Sequence, residues 1–168
     1  MTREPRAIVL ADDGRFPNSR LPLLHYRGAI DPQAVDAEAF EALFGGNGWP
    51  AQWRAGVFAY HHYHSTAHEV LGIAAGEAVL MVGGPEGRDV AVTAGDVLVI
   101  PAGVAHCRLS ASADFLVVGG YPQGQDWNLL RGEDGERPQA DRAIAKVPMP
   151  SADPVAGMDE PLLRHWNR

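Results

Sequence analysis

The sequence predicts an all-β fold, a sandwich or barrel of short strands, and three observations carry that expectation. Between residues 54 and 120 the β-rich runs are short and recur at regular intervals. Glycine and proline mark the breaks between them, and no helical periodicity intervenes. Short strands with turn residues between them build sandwiches and barrels, whereas a parallel sheet needs crossover helices.

Residues 1–53 are mixed in character. Phe16–Pro22, with two prolines close together, reads as loop. Asp31-Pro32 is expected to open a helix as N-cap and first-turn proline. Val35, Ala39, Phe40, Leu43 and Phe44 then recur at helical spacing, and Gly45-Gly46 end the run. Strands are expected at Gly56–His64, Glu69–Ile73, Glu77–Val82, Asp89–Thr93, Asp96–Ile100, His106–Leu109 and Asp114–Val118. Gly83-Gly84-Pro85-Glu86-Gly87 reads as a hairpin loop, with tighter breaks at Ala94-Gly95 and Pro101-Ala102-Gly103. Residues 121–168 carry six prolines and little periodicity, yet Leu129-Leu130, Val147, Met149, Val155, Leu162-Leu163 and Trp166 are too apolar for a free tail. An extension packed on the barrel or on a second subunit is expected there. The 168 residues fit one domain, with a core barrel at about 54–120, an N-terminal extension 1–53 and a C-terminal extension 121–168.

The composition, 46% apolar and 21% charged, is that of a soluble globular protein. A net charge of −7 argues against a nucleic-acid partner, which rewards clustered Lys and Arg. No apolar run approaches the ~20 residues of a membrane-spanning helix. Ile8-Val9-Leu10 is too short for the apolar core of a secretory signal, so a cytoplasmic protein is expected. Cys107 is the one cysteine, which excludes an internal disulfide. The expected partners are a small-molecule ligand and a second copy of the chain, as a homodimer, with neither nucleic acid nor membrane.

Five of the seven histidines fall between positions 61 and 106. In a strand, residues two apart share a face. His62 and His64 therefore point together, with Tyr60 and Phe58 continuing their face, and His61 and Tyr63 point away. Two imidazoles side by side form half of a metal site. Glu69 opens the next strand and offers an anionic oxygen, while His106 arrives from a distant region after the Pro101-Ala102-Gly103 turn. His68 competes with Glu69, because alternation lets only one of them face inward. Cys107 adjoins His106, and the same alternation turns it away as a buried structural thiol. Arg108 shares the inward face of His106 and is a candidate, with Tyr60, for binding a substrate. His25 and His165 have no partner at ligand spacing and read as structural.

Gly56–Gly76 reads G-x5-H-x-H-x4-E-x6-G, and Gly95–His106 reads G-x5-P-x-G-x2-H, with 18 residues between the two. These resemble the two cupin motifs at the spacing of germin-type members. The resemblance implies a jelly-roll β-barrel with His62, His64, Glu69 and His106 as metal ligands. Ser110 stands where the germin-type pattern has Asn, four residues after the last histidine, which weakens any analogy to germin-type chemistry. HHYHSTAHEVLG (61–72), YPQGQ (121–125) and VPMP (147–150) extend the resemblance to the YjlB-type cupins.

Three imidazoles and one carboxylate make an N3O donor set suited to Mn, Fe, Co, Ni, Cu or Zn rather than to Mg or Ca. The expected cofactor is one divalent transition metal, Fe, Mn, Ni or Zn. The functional expectation is a metal-dependent, dioxygenase-like oxidoreductase acting on a small oxygen-bearing metabolite. The alternatives are a non-redox cupin isomerase or lyase that stabilises an enolate, and a module that binds metal or ligand without turnover.

Overall fold

Two antiparallel sheets face one another in the computed structural model, which describes residues 4–158 and 161–167. Strands β1 (Arg6–Leu10), β2 (Ser19–Tyr26), β3 (Ala51–Ala55), β4 (Glu69–Ala75), β7 (Val97–Ile100) and β9 (Leu116–Gly120) form a larger sheet in the order β1-β2-β7-β4-β9-β3. Strands β5 (Glu77–Val82), β6 (Arg88–Thr93) and β8 (His106–Ala111) form a smaller one in the order β6-β5-β8. Ile8, Leu23, Leu71, Ile73, Leu98 and Val117 from the first sheet interlock with Ala78, Leu80, Val82, Val90 and Val92 from the second. This is the all-β jelly roll the sequence predicts.

The larger sheet is covered on both faces. Its outward side chains Leu24, Tyr26, Val70, Val97, Val99 and Val118 pack against helix α1 (Ala37–Gly46) and helix α3 (Pro161–Trp166) through Phe40, Phe44, Leu162 and Trp166. That explains why β4 and β7 read as continuous apolar runs rather than alternating ones. Gly72 on β4 is part of the fit, since a Cβ there would stand 2.6 Å from the Phe40 ring.

Three expectations need correction. The helix begins at Ala37 with Asp36 as N-cap, whose Oδ1 accepts a hydrogen bond from Ala39 N at 2.7 Å. Asp31 instead closes a turn of its own, accepting from Gln33 N at 2.8 Å through its side chain and from Ala34 N at 2.9 Å through its carbonyl. Phe16–Pro22 is loop only in part, because β2 starts at Ser19. Its pairing with β1 jumps from Ile8–Leu23 to Leu10–Ser19, and Pro22 falls in that irregular stretch, where no ladder amide is needed. The run Gly56–His64 is not a strand: its backbone makes isolated bridges from His62 to His106 and from Tyr63 to Leu130. Those partners lie in different segments, so no ladder can grow from either.

The C-terminal extension lies on the chain's own barrel and contains helix α2 (Gln139–Lys146) as well as α3. Trp166 Nε1 donates to Pro22 O and Trp49 Nε1 to Ala152 O, each at 2.9 Å. Asp153, fully buried, accepts from the Tyr26 hydroxyl and, at 2.7–3.0 Å, from the amides of Val155, Ala156 and Leu162. No helix among the described residues is long and apolar enough to cross a membrane. Trp166→Ala removes both the buried indole and its hydrogen bond, so urea denaturation should show a loss of about 3–5 kcal/mol.

Candidate metal centre

The backbone brings His62 and His106 face to face. His106 N donates to His62 O at 2.9 Å and His62 N to His106 O at 3.2 Å. Alternation survives in this bridged segment: His62 and His64 point into the barrel, while Tyr63 points away, packing with Phe16, Ala105 and Ala140 and donating its hydroxyl to Glu136 at 2.8 Å. The loop before His106 is tied down by Asn18, a buried residue at φ +52°, whose Oδ1 accepts from Ala105 N at 3.1 Å and whose Nδ2 donates to Ala11 O and Gly83 O. Gly103 in that loop has φ +97° and no room for a Cβ, which would lie 2.3 Å from Asn18 O.

The ligand atoms of His62, His64 and His106 all lie within 4.8 Å of one another, and all three rings are buried. Each Nδ1 faces a backbone carbonyl: His62 that of Tyr60 at 3.0 Å, His106 that of Val104 at 3.1 Å, and His64 that of Asn128 in close contact. A carbonyl only accepts, so each Nδ1 carries a proton; that leaves the Nε2 lone pair to a ligand when the ring is neutral, while His64 Nε2 must first give up the proton it shares with Glu69. Glu69, 2% exposed, joins them, with Oε2 3.1 Å from His64 Nε2 and Oε1 3.0 Å from His106 Nε2. The second of these lacks hydrogen-bond alignment, so Oε1 is buried without a hydrogen-bond partner.

Electrostatics keep Glu69 and His62 in donor form and make His64 the ring at which a proton competes with a metal ion. Burial opposes ionisation of Glu69, but the proximity of His64 and His106 and the hydrogen bond from His64 hold its carboxyl well below the usual range. Burial, reinforced by His106, lowers His62 to about 3, so its ring is neutral. For His64, burial is outweighed by the Glu69 carboxylate and the pKa is raised. Three oriented imidazoles and an ionised carboxylate with one unanswered oxygen fit a divalent transition metal ion.

His68 and Cys107 stand outside the cluster. His68 Nδ1 accepts from Ala102 N at 2.9 Å, its ring lies 4.7 Å from that of Trp166, and burial lowers its pKa to about 4. Cys107 is buried on β8 opposite Met81, with its thiol pushed up by burial. Tyr60 does not line the cavity, contrary to expectation. The chain bends at residues 59–60, and the ring stacks on Phe58 at 4.8 Å with the Arg131 guanidinium 3.8 Å from its centre.

Four site residues have no counterpart in the sequence reading. Tyr121 donates its hydroxyl to Glu69 Oε2 at 2.8 Å and accepts from Trp53 Nε1 at 2.9 Å, and its ring stacks on Trp127 at 4.3 Å. Burial and the Glu69 charge raise its pKa. Asn128 orients His64 through its carbonyl and clasps Ser65 with its side chain. The C-terminal extension supplies Tyr121, Trp127 and Asn128 from irregular backbone, where periodicity gives no signal. The cluster lines a cavity of about 570 Å³, with Arg108 and the apolar side chains of Val57, Phe58, Leu71 and Leu129 also in its wall.

The cupin domain family profile matches residues 53–118. The uncharacterized protein YjlB of Bacillus subtilis is 41% identical over 167 residues, spanning 99% of each chain. Among solved structures, acireductone dioxygenase from Bacillus anthracis with a cadmium ion in its active center aligns at TM-score 0.46 and 15% identity, over 64% of this chain and 82% of that one. The dTDP-6-deoxy-D-glucose-3,5-epimerase RmlC from Legionella pneumophila aligns at TM-score 0.36 and 18% identity, over 70% and 71%. With a full-length relative at this identity and both motifs set around one cavity, the chain belongs to the cupins, within the YjlB-type group.

Proposed function

We propose that this cupin is a metal-dependent oxidoreductase, dioxygenase-like, in which His62, His64, Glu69 and His106 hold one divalent transition metal ion. The observation that carries this reading is the set of Nδ1–carbonyl contacts, which aims three Nε2 donors and a buried carboxylate at one region. When bound, such an ion supplies a Lewis acid, or a redox centre if it is Fe or Mn. His62, His64, Glu69 and His106 would hold the ion and would leave it free to take a small oxygen-bearing ligand as well.

The protein's part is to orient the donors and to set them in a mostly apolar wall, where charge interactions are stronger than in bulk water. Tyr121 holds Glu69 in place by its hydrogen bond. An isomerase or lyase needs a spare group to carry a proton. Among the residues lining the cavity, the titratable groups outside the proposed donor set are Arg108 and Tyr121. The Tyr121 hydroxyl is already donated to Glu69, and its pKa is raised. That favours chemistry at the metal over proton shuttling by side chains.

Metal analysis of protein purified without added metal tests the redox reading: stoichiometric Fe or Mn is expected, and Zn alone would overturn it in favour of the non-redox or binding-only alternatives. Metal occupancy of variants, measured side by side, tests the ligands. His64→Ala should empty the site almost completely, Glu69→Gln should weaken it, and His68→Ala should leave it filled. Tyr121→Phe should cost about tenfold or more in metal affinity by freeing the Glu69 carboxylate. Because the Glu69 carboxylate raises the His64 pKa, protons compete with metal for that ring, and affinity should fall as pH is lowered through the histidine range. An affinity unchanged over that range would show that His64 is not a donor.

A further inference from the structure

We propose that Arg108 is an anion subsite beside the metal centre, and that the cavity takes a small monocarboxylate with an apolar body and a second oxygen that reaches the metal. This rests on the metal reading above. Arg108 follows His106 by two residues on β8, opposite Leu80 as His106 is opposite Val82, and both of those partners are fully buried on the inner face. Beyond Arg108 the register shifts: Val79 pairs with Ser110, Leu109 has no partner, and its side chain is 51% exposed. A bulge at that point ends the inward run immediately after the guanidinium, the kind of re-aiming bulges supply beside binding sites.

The charge of Arg108 is unanswered. Elsewhere on this acidic chain Arg54, Arg137 and Arg164 each meet a carboxylate at 2.5–2.6 Å. Arg108, half-buried, has no side-chain hydrogen bond or ion pair among the described residues. Among the described residues, Glu69 is the one carboxylate lining the cavity, and it is engaged by His64, His106 and Tyr121. A guanidinium that lines a mostly apolar wall with no carboxylate of its own is free to meet an anion fork to fork.

The rest of the wall narrows the class. Trp53 Nε1 and the Tyr121 hydroxyl are spent on one another and on Glu69, so the polar handles left to a ligand are Arg108 and the metal. Trp127, Leu129 and Phe58, each 43–52% exposed, offer apolar surface to the remainder of the ligand. A single planar guanidinium matches a carboxylate fork to fork, whereas phosphate sites usually add backbone amides or further cations. A volume of about 570 Å³ suits a ligand larger than acetate.

The test is calorimetric titration of Zn-loaded protein, its Zn content measured first, with 3-phenylpropanoate, 3-phenylpropanamide and acetate. The wild type should bind the carboxylate at least about tenfold more tightly than either of the others. Arg108→Gln should keep its Zn and lose the preference over the amide, and Arg108→Lys should retain part of it. Equal binding of acid and amide by the wild type, or an unchanged preference in Arg108→Gln, overturns the subsite. So does a preference that survives in Arg108→Gln but vanishes with EDTA, which would put the carboxylate on the metal. A protein that takes no Zn yet discriminates acid from amide through Arg108 sinks the metal reading and leaves the anion subsite standing.

Discussion

A carboxylate that is 2% exposed imposes the governing constraint on this fold. Removing such a group from water costs several kcal/mol unless positive charge or donors meet it. Glu69 sits at the first position of β4, opposite Ile100 on β7, and that register aims it into the barrel while His68 goes to the opposite face. A slip of one residue would exchange the two, placing an imidazole in the cluster and an anion beneath Trp166. The two-sided apolar packing of β4 and β7 makes such a slip expensive, so the core fixes the chemistry as well as the shape.

The imidazoles are held by a different device. No pair of them is bonded ring to ring; each is turned by a backbone carbonyl. Two of those carbonyls, of Tyr60 and Val104, lie two residues before the histidine they orient, so the local turn sets the tautomer. The third, of Asn128, is 64 residues away.

That division explains what the sequence disclosed. The strands from Glu69 to Val118 were legible because turn residues punctuate them, and the donors were legible because the motif spacing carries their geometry. Pro22 disguised β2, since proline in a central strand argues against it until the β1–β2 irregularity is seen. Asp31-Pro32 imitated a helix start because Asp caps turns and helices by the same hydrogen bond. Tyr60 departs from the alternation of its neighbours because the chain bends at residues 59–60. Tyr121 and Asn128 act as single hydrogen-bonding residues on irregular chain, which no periodicity encodes.

The bridge between Tyr63 and Leu130 has a consequence for how such a protein can be subdivided. Its two hydrogen bonds, at 2.9 and 3.0 Å, clamp the histidine segment between the barrel on one side and the C-terminal chain on the other. The stretch matched by the cupin profile, residues 53–118, contains all four side chains proposed as donors yet ends before Tyr121, Asn128 and Leu130. Transplanted alone it would carry the donors without the parts that aim His64 and pin Glu69. The histidine motif proposed to hold metal is therefore not a portable cassette, and recombination that moved it between barrels would have to move the C-terminal chain with it.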